Sequence, residues 1–255
     1  MTLLLPSWAE AEAEDIDAEN SFEFIVVTDT HFLDDQCTKW FRPVIEAMKK
    51  SAPKAVFCIV AGDVTDRGTP EACGAMRDLF AQLEIPVHIV PGNHDYLSDA
   101  DRSGYDRIFP DQLNYHFEHQ GWQFVGLDST QGTQFINTLI PNETLDWLTC
   151  EIPKLDPARP TFAFTHFPLG EGVEMRPRNA DEMVALLQKL SLRWVHSGHW
   201  HGSSLKAVGQ TRLMTSRCCA RIRGNADGSR LKGWHVYRAS ADGTLTRRFA
   251  AVPQL

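Results

Sequence analysis

The sequence predicts an α/β fold built on mostly parallel strands, and three observations carry that prediction. Short apolar, β-branched runs alternate with stretches of helical periodicity from Phe22 to Asp95. One of those runs, Ala55 to Ala61 (AVFCIVA), is apolar almost throughout, as a strand covered on both faces must be. Polar residues follow the end of every strand in this stretch, at the edge where open α/β sheets bind ligands.

The first strand is read at Phe22 to Thr28 (FEFIVVT), ending in the polar turn Asp29-Thr30-His31. From Trp40, apolar residues at Phe41, Val44, Ile45 and Met48 repeat at helical spacing. The second strand is Ala55 to Ala61, which ends in Gly62-Asp63. Met76, Leu79, Phe80 and Leu83 mark one face of a second helix. Val87 to Val90 is the third strand, closed by Pro91-Gly92-Asn93-His94-Asp95. The resulting βαβαβ order implies right-handed crossovers and parallel neighbours.

Beyond it, Asn114 to Glu118 and Trp122 to Leu127 read as an antiparallel pair. A short helix is expected around Leu145, Leu148 and Ile152. Thr161 to Thr165 is a strand ending at His166, Met183 to Leu190 a helix, and Leu192 to His196 a strand ending in Gly198-His199-Trp200-His201. From Ser204, Gly-bounded runs predict a hairpin-rich β tail. No internal repeat, low-complexity linker or domain boundary interrupts residues 22–255, which read as one domain of two sheets flanked by helices. Residues 1–21 read as a flexible acidic tail: the apolar start stops at Pro6, without the basic region of a secretory signal.

A chain of 255 residues with 43% hydrophobic content can bury a core without a disulfide scaffold. Its net charge of −8 and lack of a basic block speak against a nucleic-acid polymer as partner, because such binding rests on Lys/Arg contacts to phosphate. No apolar run approaches the ~18 residues of a membrane span, so no membrane association is expected. The six cysteines form no C-x-x-C pair and read as reduced thiols, which predicts a cytoplasmic protein. Oligomeric state is left open, a homo-oligomer included.

The strand-end residues Asp29, His31, Asp63, Asn93, His94, His166, His199 and His201 collect imidazole, carboxylate and amide groups. These are the donor types for Zn, Mn, Fe and Co ions, and the absence of cysteine argues against a structural Cys-zinc site. Asp29-x-His31 taken alone is weak, although alternate residues of an extended segment point the same way. Gly92-Asn93-His94-Asp95 is far more specific, expected by chance about 0.001 times in such a chain. The candidate ligands are too many for one tetrahedral ion and suit two adjacent ions sharing a carboxylate. Asp63 is the natural bridge, since a carboxylate has two oxygens.

The motif series D-x-H, G-D, G-N-H-D, H and G-H-x-H, in order from Asp29 to His201, resembles that of the calcineurin-like metallophosphoesterases. The resemblance implies a four-layer α/β/β/α sandwich with two central mixed sheets. It implies one ion held by Asp29, His31, Asp63 and His201, and another by Asp63, Asn93, His166 and His199. The ions could be Fe, Mn, Zn or Co. His94 becomes the catalytic histidine, suited to the task because imidazole titrates near neutral pH. The segment Gly62-Asp63-Val64-Thr65-Asp66-Arg67-Gly68 also resembles the phosphoprotein-phosphatase branch, which makes Asp66 the orienter of His94 and Arg67 a phosphate ligand. An Asp-Arg pair at a helix start serves equally as a cap or a surface ion pair.

The motif pattern is most similar to bacterial class III cyclic-nucleotide phosphodiesterases and related glycerophosphodiesterases. It implies in-line attack by a metal-bridging hydroxide on a small phosphodiester or cyclic nucleotide. A phosphomonoesterase, protein phosphatases included, is the competing reading, and a non-catalytic scaffold of the same fold the remote one. Substrate choice is expected to lie in Tyr96 to Phe109, Gln131 to Asn142 and Leu169 to Asn179, the last bearing Arg176 and Arg178.

Overall fold

A computed structural model describes residues 21–253. The segment expected to be an acidic tail lies outside the described residues, except Ser21, which already pairs with Ser240 in the first strand. The βαβαβ unit is β1 (Ser21–Val27), α1 (Asp35–Ser51), β2 (Ala55–Ala61), α2 (Pro70–Ala81) and β3 (Val87–Val90). There follow α3 (Ser103–Ile108), β4 (Tyr115–His119), β5 (Trp122–Leu127), α4 (Asn142–Glu151), β6 (Pro160–Thr165), α5 (Ala180–Leu187) and β7 (Ser191–Ser197). The chain closes with β8 (Ser204–Val208), β9 (Thr211–Thr215), β10 (Gly233–Ser240) and β11 (Leu245–Ala251).

Two mixed sheets result. The first has the order β11-β10-β1-β2-β3, with β1, β2 and β3 parallel and β10 and β11 antiparallel. The second has the order β4-β5-β6-β7-β9-β8, parallel at its centre and antiparallel at both edges. The predicted β tail divides between them: the β8–β9 hairpin completes the second sheet, and the β10–β11 hairpin completes the first. Alternating apolar residues announce strands but carry no information on which sheet receives them. Helix α3 was not expected; it has six residues and buries only Gly104 and Tyr105, too little for a periodic signal.

Period-2 side-chain alternation builds the layers. In β1, Phe22, Phe24 and Val26 face the second sheet, while Ile25 and Val27 face the helices. The layer between the sheets is aromatic: Phe24 stacks on Tyr237 at 5.2 Å and meets Phe124 and Phe162 edge-on. Trp122 Nε1 donates to the Ser240 carbonyl at 2.8 Å and pins one sheet to the other. On the outer face of the first sheet, α1 buries Cys37, Phe41, Val44, Ile45 and Met48, a stripe at 3- and 4-residue spacing. Helices α4 and α5 cover the second sheet through Leu145, Leu148, Met183 and Leu187. The four-layer α/β/β/α sandwich is the predicted one. No helix among the described residues is long and apolar enough to cross a membrane.

Short polar side chains cap the starts of α1 and α2. The Asp34 carboxylate accepts from the Gln36 and Cys37 amides at the start of α1. Thr69 caps α2, with Pro70 in its first turn. Asp66 is therefore not the cap of α2.

Candidate metal centre

The loops after β1, β2, β3, β6 and β7 meet at one end of the sandwich. They are knitted together by main-chain bonds: Asp29 N–H to Gly62, His31 N–H to Asp63, and Gly198 N–H to His166, at 2.9–3.1 Å. The pairing continues the strands into tight, irregular turns. Asp29, His31, Asp63, His199 and His201 all have left-handed backbone, with φ between 44° and 66°. Left-handed backbone strains a residue with a Cβ, and such strain concentrates at functional sites. The sequence argument that Asp29 and His31 converge as alternate residues of an extended strand is thus corrected. They converge because each sits in a left-handed turn.

Two glycines make room for these turns. Gly62 has φ of 84°, and a Cβ there would collide with the His166 ring. A Cβ on Gly198 would collide with the Thr28 hydroxyl and the Asp29 carboxylate. The G-D and G-H-x-H glycines are therefore spaces that ligand side chains fill.

The predicted ligands come together as two overlapping groups. Asp29, His31, Asp63 and His201 form one, and Asp63, His166 and His199 the other. Asn93 joins the second group, its Oδ1 lying 3.2 Å from His166 Nε2. Asp63 faces both groups: Oδ2 lies 3.4 Å from His31 Nε2, and Oδ1 lies 3.4 Å from His166 Nε2.

The hydrogen bonds at the outer edges of the four histidines decide their tautomers. His31 Nδ1 donates to Asp66 Oδ1 (3.2 Å) and His166 Nδ1 to the Ala61 carbonyl (3.1 Å). His199 Nε2 donates to the Phe135 carbonyl (2.8 Å) and His201 Nδ1 to the Gly224 carbonyl (3.0 Å). All four partners are acceptors, so each ring nitrogen named must carry the proton. The opposite nitrogens then present lone pairs inward, with His31 Nε2 3.1 Å from His201 Nε2 and His166 Nε2 3.2 Å from His199 Nδ1. Facing lone pairs repel unless a cation lies between or beside them. Orienting a ligand histidine through its far nitrogen is the usual support of a metal site. This donor set fits two transition-metal ions.

The electrostatics agree. Burial opposes the charged form of Asp29, yet His201 and His166 hold its carboxyl down at about 2. Asp63 is likewise buried and is held well below the carboxylate range by His166 and His31. Burial also opposes charge on His166, but Asp63 and Asp29 raise it to about 9. His199 is held at about 3 by burial and by the neighbouring His166. The opposed shifts mark one tightly coupled cluster of buried acids and imidazoles, whose negative charge bound cations would neutralise.

The remaining predicted residues separate. His94 donates its main-chain N–H to Asp63 Oδ1 (2.9 Å), and its ring edge meets His31 at 4.8 Å between centroids. His94 Nδ1 donates to the main-chain carbonyl of Asp66 at 3.1 Å, which leaves Nε2 with no partner among the described residues. The Asp66 carboxylate serves His31 and Arg223 instead. Asp95 fixes the turn: its buried carboxylate accepts from the Gly92, Val64 and Thr65 amides at 2.8–3.1 Å.

Arg67 is exposed and does not line the cavity over the cluster. Neither Arg176 nor Arg178 lines it. Arg176 pairs with Asp181 and donates to the Leu169 carbonyl. The cavity, of about 390 Å³, has His31, Asp63, His199 and His201 in its wall, with His94 and Arg223 beside them. Phe135, Met175 and Trp200 add an apolar lining.

Phe135 and Met175 lie in two of the three segments expected to choose the substrate; no residue of Tyr96 to Phe109 lines the cavity. In that third segment, Arg102 is committed to Asp128 and Asp106. Sequence reasoning missed Arg223. It sits between β9 and β10 in a loop with no motif, and its position depends on a contact with Asp66, which lies 157 residues earlier.

Comparison with known proteins follows the same lines. Residues 22–203 match the family described as calcineurin-like phosphoesterase. The chain is 26% identical over 246 residues to a 3',5'-cyclic-nucleotide phosphodiesterase of Nostoc sp., covering 89% of this chain and 91% of that protein. It is 24% identical to the 3',5'-cyclic adenosine monophosphate phosphodiesterase CpdA of Escherichia coli, over 89% of each. A dimetal phosphatase from Danio rerio shares the fold, with a TM-score of 0.61 and 12% identity over 91% of this chain and 99% of that one.

Proposed function

The chain belongs to the calcineurin-like phosphoesterase family, and on that premise we propose that it is a metal-dependent phosphodiesterase acting on a small phosphodiester or a 3',5'-cyclic nucleotide. The observation that carries the reading is the pair of donor groups sharing Asp63, open to a cavity that His94 also lines. The ions would be held by Asp29, His31, Asp63 and His201, and by Asp63, Asn93, His166 and His199. Two such ions, drawn from Fe, Mn, Zn and Co, would supply charge neutralisation at the phosphoryl oxygens and an activated water nucleophile.

The chain's own residues do the rest. Asp63 divides its oxygens between the two groups and holds the His94 amide. The Asp66 carbonyl fixes the Nδ1–H tautomer of His94. In its protonated form, His94 then presents Nε2–H to the leaving ester oxygen, which takes that proton as its bond to phosphorus breaks. Phe135, Met175 and Trp200 offer apolar surface to the organic arms of the ester. A diester has two such arms, and the relatives named above are phosphodiesterases.

A phosphomonoesterase is the competing reading, favoured by the Arg223 guanidinium at the cavity, which suits a second negative charge. A scaffold that has lost its metals is disfavoured by the complete donor set. The cytoplasm is the proposed compartment, supported by six cysteines that are all free thiols.

The test is paired hydrolysis of bis-p-nitrophenyl phosphate and p-nitrophenyl phosphate by Mn²⁺-reconstituted protein, with a chelated control. Metal-dependent preference for the diester is the expected result. Preference for the monoester moves the assignment to a phosphatase, and activity that survives chelation sinks the metal-dependent reading.

A further inference from the structure

Arg223 is the one lysine or arginine among the residues lining the cavity. Its backbone is held at two successive carbonyls. Lys232 Nζ donates to the Arg223 carbonyl, and His201 Nδ1 donates to the next carbonyl, that of Gly224. The loop is anchored to the body of the fold by the Cys219 N–H on the Thr28 carbonyl (3.2 Å) and by Trp40 Nε1 on the Cys219 carbonyl (3.1 Å). The guanidinium is thus carried by a fixed main chain, while its side chain remains 36% exposed.

That guanidinium is only partly committed. Nε and Nη2 both reach a single oxygen, Asp66 Oδ1, which also accepts from His31. Nη2 lies 3.4 Å from His94 Nδ1. Nη1 has no partner among the described residues, so the fork still has donors to offer. One carboxylate oxygen accepting from Nε, Nη2 and an imidazole is crowded, and it leaves the bidentate geometry that a guanidinium favours unused. A tetrahedral anion over the cluster would offer Arg223 two oxygens in that geometry.

We propose that Arg223 is a specificity-determining anchor for the non-bridging oxygens of the bound phosphoester. The anchor takes charge on the phosphoryl group and thereby ranks substrates by that charge. It deepens the phosphoesterase reading and rests on it for the site, but not for its test. Arg67, the arginine that the motif suggested, is exposed and does not line the cavity, whereas Arg223, far along the chain, does.

The experiment compares wild type, Arg223→Gln and Arg223→Lys, each reconstituted with Mn²⁺. Binding of inorganic phosphate is measured by calorimetry, metal content by elemental analysis, and KM and kcat on both nitrophenyl esters. Arg223→Gln is expected to weaken phosphate binding about 10- to 100-fold, the range for a lost charge-assisted hydrogen bond. It should raise KM more for the dianionic monoester than for the monoanionic diester, with two ions retained. Arg223→Lys should recover part of the loss, because it keeps the charge and loses the fork.

Phosphate affinity unchanged within about twofold in Arg223→Gln, or no phosphate binding by wild type, overturns the proposal. So does loss of an ion in Arg223→Gln, which would make Arg223 a brace for Asp66 and His31. A wild-type protein that binds phosphate but hydrolyses neither ester fails the phosphodiesterase reading alone. The anchor is then judged on the binding data.

Discussion

His94 Nδ1 lies 3.1 Å from the main-chain carbonyl of Asp66 and 3.9 Å from its carboxylate. The residue that orients His94 therefore does so with an atom no substitution at Asp66 removes. Its side chain is spent on His31 and Arg223. Asp66→Asn is expected to leave His94 in place and to weaken the ion held through His31 by about 10- to 100-fold, as loss of a ligand's outer partner does. Metal titration of the variant checks this; a drop in kcat with both ions still tightly held would return the Asp66 carboxylate to His94.

His94 itself should separate chemistry from metal binding. Its imidazole belongs to neither of the overlapping groups that share Asp63. His94→Ala is predicted to lower kcat by about 10²- to 10⁴-fold, the usual worth of a positioned acid, with metal content near wild type. Full activity in this variant would remove the acid from the proposed mechanism.

Asp63 offers the converse experiment. One oxygen faces His31 and the other His166. Asp63→Ala should therefore reduce occupancy of both ions together. Elemental analysis showing one ion lost and the other retained at full stoichiometry would be incompatible with a shared carboxylate.

The space at Gly198 is occupied by Thr28 and Asp29. Gly198→Ala should displace the Asp29 carboxylate and lower metal affinity at the group it shares with His201, while circular dichroism stays native. Wild-type metal affinity in Gly198→Ala would show that the turn absorbs a methyl group and that the glycine is not needed for the site.

Away from the metals, His88 stacks on Phe117 with centroids 3.6 Å apart, and burial holds its ring at about 4 instead of the ordinary 6.5. The folded state therefore binds fewer protons than the unfolded chain between those values. The stability it contributes is present above pH 6.5 and is lost as pH falls toward 4. Urea midpoints across pH 4–7 should decline on acidification, and less steeply in His88→Phe, which keeps an aromatic ring without the proton. Parallel profiles for the two proteins would assign the acid sensitivity elsewhere.

Much of this molecule is written in local pattern. The runs FEFIVVT and AVFCIVA, with helical periodicity between them, determine strands and crossovers, because side-chain periodicity and burial are local properties. That Asp29, His31, Asp63, Asn93, His166, His199 and His201 gather at one place was legible, since each follows a strand at the edge where the loops must converge.

What the tertiary structure alone decided is whatever depends on partners distant in sequence. The pairing of β10 with β1 placed the last hairpin in the first sheet, a choice that alternation cannot encode. The left-handed turns at Asp29 and His31 exist because the neighbouring loop after β2 accepts their amides. Arg67 and Arg223 show the same limit most sharply. A guanidinium looks alike in any sequence, and only the folded chain turns one out to solvent and carries the other to Asp66 beside the metal cluster.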